Sequence, residues 1–169
     1  LLAMLGSSVA MAPLRRAAAA GGPARIGDQV LALEFDAQMR SRILRIDGGR
    51  ALPLTELAAS EVLTLAGGGR VEEFALLEWR SEPLRDAALG AGSRLVARGL
   101  APGGFEKTLS VEMHDRCPGL ASVAVSYRNL SGSAATIEHW RVAAHCLPPG
   151  PGGGDFWCYS GASYEDRRD

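Results

Sequence analysis

Phe105-Glu106-Lys107-Thr108-Leu109-Ser110-Val111-Glu112-Met113-His114 is the stretch that decides the fold. Phe105, Leu109, Val111 and Met113 share one face of an extended chain. Glu106, Thr108, Ser110, Glu112 and His114 share the other. Side chains of a strand alternate between faces, so a period of two with one polar face describes an antiparallel strand covered on one side. The turn signal Cys117-Pro118-Gly119 follows, and then Leu120 to Arg128 repeats the pattern. There Val123, Val125 and Tyr127 lie opposite Ser122, Ser126 and Arg128. After the turn residues Asn129 to Ser133, the segment Ala135 to Leu147 places Trp140, Val142, Ala144 and Cys146 opposite His139 and Arg141.

The same reading extends upstream. Gln29 to Phe35 is a first short apolar segment. Met39 to Ile46 ends at Asp47-Gly48-Gly49, a strong short-range hairpin signal. Val62 to Leu65 stops at Gly67-Gly68-Gly69, and Val71 to Trp79 stops at Glu82-Pro83. Arg94 to Arg98 stops at Ala101-Pro102-Gly103-Gly104. Only Leu54 to Glu61 and Pro83 to Leu89 read as helix-like, and both are short. Parallel strands need long crossovers, usually helical, so a βαβ architecture is disfavoured. The expected fold class is all-β, an antiparallel β-sandwich.

Composition bounds the function. The chain has 169 residues, a net charge of -1, 22% charged and 47% hydrophobic residues. A domain of about 150 residues buries roughly 70% of its extended surface, so a true core is expected. The arginines are scattered and no basic stripe is interleaved with aromatics, which argues against a nucleic-acid partner. A membrane partner is not expected either. Leu1 to Ala12 is an apolar run of small residues, too short for the ~20 residues of a membrane span. It fits the apolar core of a secretory signal that lacks its basic start, with Ala10-Met11-Ala12 or a site among Ala17 to Ala20 as the cleavage point. The alternative is an Ala-rich leader. Residues 1–28 are read as truncated signal peptide and linker, the linker running from Arg15 to Asp28, and residues 29–169 as the sandwich. The expected location is periplasmic or extracellular.

Chemistry-bearing motifs are few. Gly67 to Gly69 lacks the Lys-Ser/Thr of a phosphate loop. His114 to Cys117 and His145-Cys146 offer ligand pairs without the four-ligand spacing of closed zinc, so neither a metal site nor a cofactor is expected. Cys146 and Cys158 could close a loop in an oxidising compartment. The favoured reading keeps all three cysteines as free thiols, with Cys146 on a buried strand face. Asn129-Leu130-Ser131 has the form of a glycosylation sequon, but an Asn with positive φ in a turn is the simpler explanation. The carboxylates Glu72, Glu73, Glu106, Glu112, Glu138, Glu165 and Asp166 read mostly as solvated strand faces, and no catalytic residue is assigned.

Several segments carry a resemblance in their order and spacing. These are Met39-Arg40-Ser41-Arg42, Asp86 to Leu95, Glu106 to Glu112, Tyr127-Arg128-Asn129, and the terminal Phe156-Trp157-Cys158-Tyr159 with Gly161 to Arg167. Together, from about Val30 to Asp169, they resemble the N-terminal β-sandwich of bacterial melibiase-type α-galactosidases, glycoside hydrolase family 36 and its relatives. Arg168 departs from the Pro expected there, and Cys158 from a Ser-like residue. The resemblance implies a supersandwich-like domain, truncated at its C-terminal end, that precedes a (β/α)8 barrel. The barrel carries two catalytic Asp residues of a retaining mechanism. It also implies two partners, an α-galactoside carbohydrate and the intramolecular barrel. Trp157, Tyr159, Tyr164, Glu165, Asp166 and Arg167 are the candidates for substrate-binding or barrel-interface contact, with interface packing favoured over sugar contact. The reading from a different class is a non-catalytic carbohydrate-binding or adhesion module.

Overall fold

The computed structural model describes residues 23–147. They form eleven antiparallel strands in three sheets and, among the described residues, no helix. The first sheet is β1 (Ala24–Gly27), β2 (Leu31–Phe35), β3 (Ser41–Asp47) and β4 (Arg50–Pro53), in that order. The three-stranded sheet runs β11 (Ile137–Arg141), β5 (Val62–Leu65), β6 (Arg70–Val71). The largest sheet runs β10 (Ala121–Asn129), β9 (Phe105–His114), β8 (Gly90–Leu100), β7 (Ala75–Asp86). The all-β antiparallel class read from the alternation is the fold observed.

The core is shared between sheets. Ala24, Ile26, Leu33 and Phe35 of the first sheet and Leu63 of β5 join Leu95, Ala97, Leu109, Val111 and Met113 of the largest sheet in one apolar cluster. Each buried aliphatic side chain of this size contributes about 1.5–3 kcal/mol. On the opposite face of the largest sheet the strands are stitched by charge. Arg98 on β8 bridges Glu78 on β7 and Glu106 on β9, both at 3.0 Å. Arg94 bridges Glu82 at 3.2 Å and Glu112 at 2.6 Å. These half-exposed pairs set which strand lies beside which more than they add stability.

The β3–β4 hairpin is the one the sequence announces. Asp47 pairs with Arg50 across Gly48 and Gly49, whose φ angles are 56° and 83°. Two successive positive φ values are what a two-residue turn matching strand twist requires, and glycine adopts them without steric cost. A second device joins two turns far apart in sequence. One carboxylate oxygen of Asp28 accepts the N–H groups of Val30 and Leu31 at 2.7 and 2.8 Å, and the other accepts that of Gly119 at 2.6 Å. Burial alone would raise the pKa of Asp28, but these backbone donors outweigh it and hold the group below its usual range.

Several expectations are corrected. Strand β1 lies inside the stretch read as linker, where its short alternation of Ala24 and Ile26 inward was masked by flanking Gly and Pro. The two stretches read as helix-like are not helices. Pro83 to Asp86 belongs to β7, which tolerates a proline because it is an edge strand. Leu54 to Glu61 is irregular, tied to β3 by the bridge between Ser41 and Ala58. Only Ile137 to Arg141 of the segment Ala135 to Leu147 is a strand, and it is exposed along its length. Trp140 is 65% exposed, and Val142, Ala144 and Cys146 are exposed with it. The free thiol of Cys146 therefore does not sit on a buried strand face. Cys117 is likewise free. Asn129 does not take a positive φ; Gly132 does, and Asn129 organises the turn through its side chain. Its Oδ1 accepts from Ser131 N–H at 2.9 Å, while its Nδ2 donates to the Ser133 carbonyl at 2.7 Å.

Candidate functional site

A charged residue on the core face of β9 opens the site. Every second residue of β9 from Phe105 to Met113 is buried, and Lys107 is one of them. Its side chain is 1% exposed. Its neighbour in register on β8 is Gly99, and on β10 it is Tyr127. Gly99 has no side chain because Met39 occupies that space: a Cβ there would collide with the Met39 sulfur and with the carbonyl of Ala75. Met39 itself is buried and takes φ 53°, a strained value for a residue other than glycine.

Lys107 has two partners. Its ammonium donates to Glu61 Oε2 at 3.2 Å and lies 4.6 Å from the centre of the Phe74 ring. Glu61, just before β5, is 2% exposed. An ion pair this deep persists only because each member satisfies the other. Burial pushes the Lys107 pKa below the ordinary lysine value, with Glu61 pulling upward against it. Tyr127 packs on Phe74 with ring centres 5.9 Å apart, and its hydroxyl is buried without a hydrogen-bond partner among the described residues. Burial, helped by the negative charge of Glu61, pushes its pKa up to about 12, so it stays a neutral phenol.

From Glu61 a chain of hydroxyls leads outward. Ser60 Oγ donates to Glu61 Oε1 at 2.7 Å. Ser41 and Ser60 share a short hydrogen bond, and Ser41 Oγ meets His145 Nε2 at 3.5 Å. Both serines are buried, and His145 is half-buried. The Ser60 carbonyl also accepts the N–H of Ala144, which holds the segment carrying His145 in place. Burial lowers the His145 pKa, which favours the neutral imidazole, with the negative charge of Glu61 opposing. His145 lines a cavity of about 350 Å³ whose other walls come from the segment Pro53–Ala58 and from Ala144 and Cys146.

The composition is that of a hydrolytic triad, but the order is not. In a triad the histidine stands between carboxylate and serine, so that it can take the serine proton. Here two serines stand between Glu61 and His145, and the proton of Ser60 is committed to the carboxylate. Neither hydroxyl is activated as a nucleophile. No group of three or more His, Cys, Asp or Glu among the described residues is arranged to hold a metal ion.

No protein-family model, curated protein or solved structure matches the chain. The residues singled out in the sequence, Trp157, Tyr159, Tyr164, Glu165, Asp166 and Arg167, lie outside the described residues. Of the constellation found instead, Lys107 had a legible signal. It falls at an odd position of the β9 alternation, where a charge demands a buried partner. Ser41, Ser60, Glu61 and His145 are brought together by the fold and have no motif of their own.

Proposed function

We propose that this chain is the N-terminal accessory domain of an α-galactosidase-like retaining glycoside hydrolase, exported from the cell, that packs on a (β/α)8 barrel and shapes its sugar site. The resemblance from Val30 onward supports this, and an antiparallel all-β frame is what that resemblance implies. The observation that carries the docking part is Trp140. A tryptophan 65% exposed on a strand whose Ile137 is also exposed, followed by exposed Val142 and Leu147, has the character of an interface anchor rather than a solvated strand. The inverted order of the Glu61–Ser60–Ser41–His145 chain supports an accessory rather than a catalytic role.

The test uses the uninterrupted reading frame that contains this chain. Its product should hydrolyse p-nitrophenyl α-galactoside with retention of anomeric configuration, while the 169-residue chain releases nothing. Trp140→Ala should lower the thermal stability of the whole polypeptide and leave the isolated chain nearly unchanged. A frame that contains no alternating strand–helix stretch of about 250 residues, or a product without glycosidase activity, overturns the proposal.

A further inference from the structure

An ionised Glu61 sets the direction of the hydrogen bonds that lead toward His145. A carboxylate only accepts, so Ser60 must spend its single hydroxyl proton on Glu61. Ser41 must then supply the proton of the bond it shares with Ser60. With that proton spent, Ser41 can only accept across its long 3.5 Å contact with His145, and the tautomer that satisfies the contact carries hydrogen on Nε2. In the neutral ring Nδ1 is then a bare acceptor, and among the described residues it has no hydrogen-bond partner. The buried ion pair of Lys107 and Glu61 anchors the far end.

His145 lines the cavity of about 350 Å³, a volume within the range of small-molecule sites. Pro53, Leu54, Ala58 and Ala144 give it an apolar wall, and Glu56 stands at its lining as an exposed carboxylate. Among the polar side chains of the lining, Glu56 and His145 Nδ1 offer acceptors, while Thr55, whose Oγ1 already accepts the Ile43 N–H, brings a hydroxyl proton and Cys146 a thiol. A carboxylate beside acceptors, a hydroxyl and an apolar wall matches a neutral molecule whose hydroxyls both donate and accept and which has one C–H face.

We propose that this cavity is a binding subsite for a monosaccharide-sized polyol, one hydroxyl of which donates to His145 Nδ1. The choice of a sugar as probe rests on the function proposed above; the hydrogen-bonding character of the site does not. Stacking of an apolar sugar face on Pro53 and Leu54 and two hydroxyl contacts give weak affinity, with a Kd of about 1–10 mM.

Long-range proton–nitrogen NMR of the isotopically labelled chain reads both parts at once. His145 should show the Nε2–H tautomer, and galactose and glucose should each shift its ring signals in a saturable way. Ala58→Leu adds bulk to the cavity lining; Ala58 meets Ser41 through backbone hydrogen bonds alone, which a leucine can keep, so the hydrogen-bond chain to His145 loses no partner. It should abolish the sugar shifts while the melting temperature and the His145 tautomer stay as in the parent. An Nδ1–H tautomer, sugars that leave His145 unmoved, or sugar shifts that survive in Ala58→Leu would each overturn the subsite, as would a response to methylamine alone. These outcomes are separate from the hydrolysis test. Sugar shifts without α-galactosidase activity in the whole polypeptide leave the subsite standing and remove the galactosidase reading. Hydrolysis without sugar shifts does the reverse.

Discussion

Replacing Lys107 by methionine removes a charge from beside a carboxylate that is 2% exposed. At 3.2 Å, and with an effective dielectric of about 20, the attraction between the two charges is about 5 kcal/mol. Measured costs of removing one member of a buried pair are about 3–5 kcal/mol, because the remaining charge is left in a low-dielectric site. Methionine also abandons the contact with the face of Phe74, which an ammonium makes and a thioether makes differently. For a chain of this size about 3 °C of melting temperature follows each kcal/mol, so Lys107→Met should melt roughly 10–15 °C lower. The control is the pair Lys107→Met with Glu61→Leu. With both charges gone no unpaired charge remains and Ser60 can turn its hydroxyl proton toward Ser41, so stability should return to within about 1–2 kcal/mol of the parent. Urea unfolding followed by tryptophan fluorescence gives both values. A single variant that loses less than about 1 kcal/mol, or a double variant no better than the single, would show that the two side chains do not form a desolvated pair.

Two further outcomes follow from groups described above. Asp28→Ala removes the acceptor that joins the turn after β1 to Gly119, and should cost about 1–2 kcal/mol, discounted for partial exposure. In the parent that contribution should fade only below the ordinary aspartate pKa of 3.8, since the folded value lies lower and stability is lost as pH falls through it; an acid-unfolding midpoint that does not move in Asp28→Ala would count against the clamp. His145 has a folded pKa below its unfolded value of 6.5, so the unfolded chain binds the proton more tightly. Its contribution is therefore complete above that pH and is lost as pH falls through 6.5 toward the folded value. His145→Gln should flatten the dependence of the urea midpoint between about pH 7 and pH 5, and parallel slopes in parent and variant would exclude burial of the neutral ring as its cause.

The strands that announced themselves are those whose two faces meet different solvents. Strands β9 and β10 carry apolar or aromatic residues along the inner face except at Lys107, and their limits lie within a residue of those read from the alternation. Strand β11 misled because alternation shows which residues share a face and not what covers that face; Trp140 and Val142 are apolar and exposed. Pro83 misled in the opposite direction, since an edge strand can hold a proline whose missing N–H no neighbour needs. Glu61 was overlooked at the end of a stretch read as helix, and a carboxylate's burial depends on a lysine 46 positions away, which no local window contains. The polar chain to His145 spans 104 positions and is visible only once β3 and the segment after β11 are in place.

The buried lysine has a consequence for how the sheet finds its alignment. Sliding β9 by one residue against β8 and β10 would turn its apolar row outward, and the core forbids it. Sliding by two keeps apolar residues inside, so alternation alone does not distinguish the native pairing from that error. Lys107 does, because it reaches Glu61 only when it stands between Gly99 and Tyr127. Shifted by two, its ammonium would face an aliphatic wall with no counter-charge. Glu61 and Lys107 thus act as a key that admits one alignment out of a family of equally greasy ones. The double variant, without the charges, should recover most of the melting temperature and lose that uniqueness, with second sets of amide signals for residues of β8, β9 and β10.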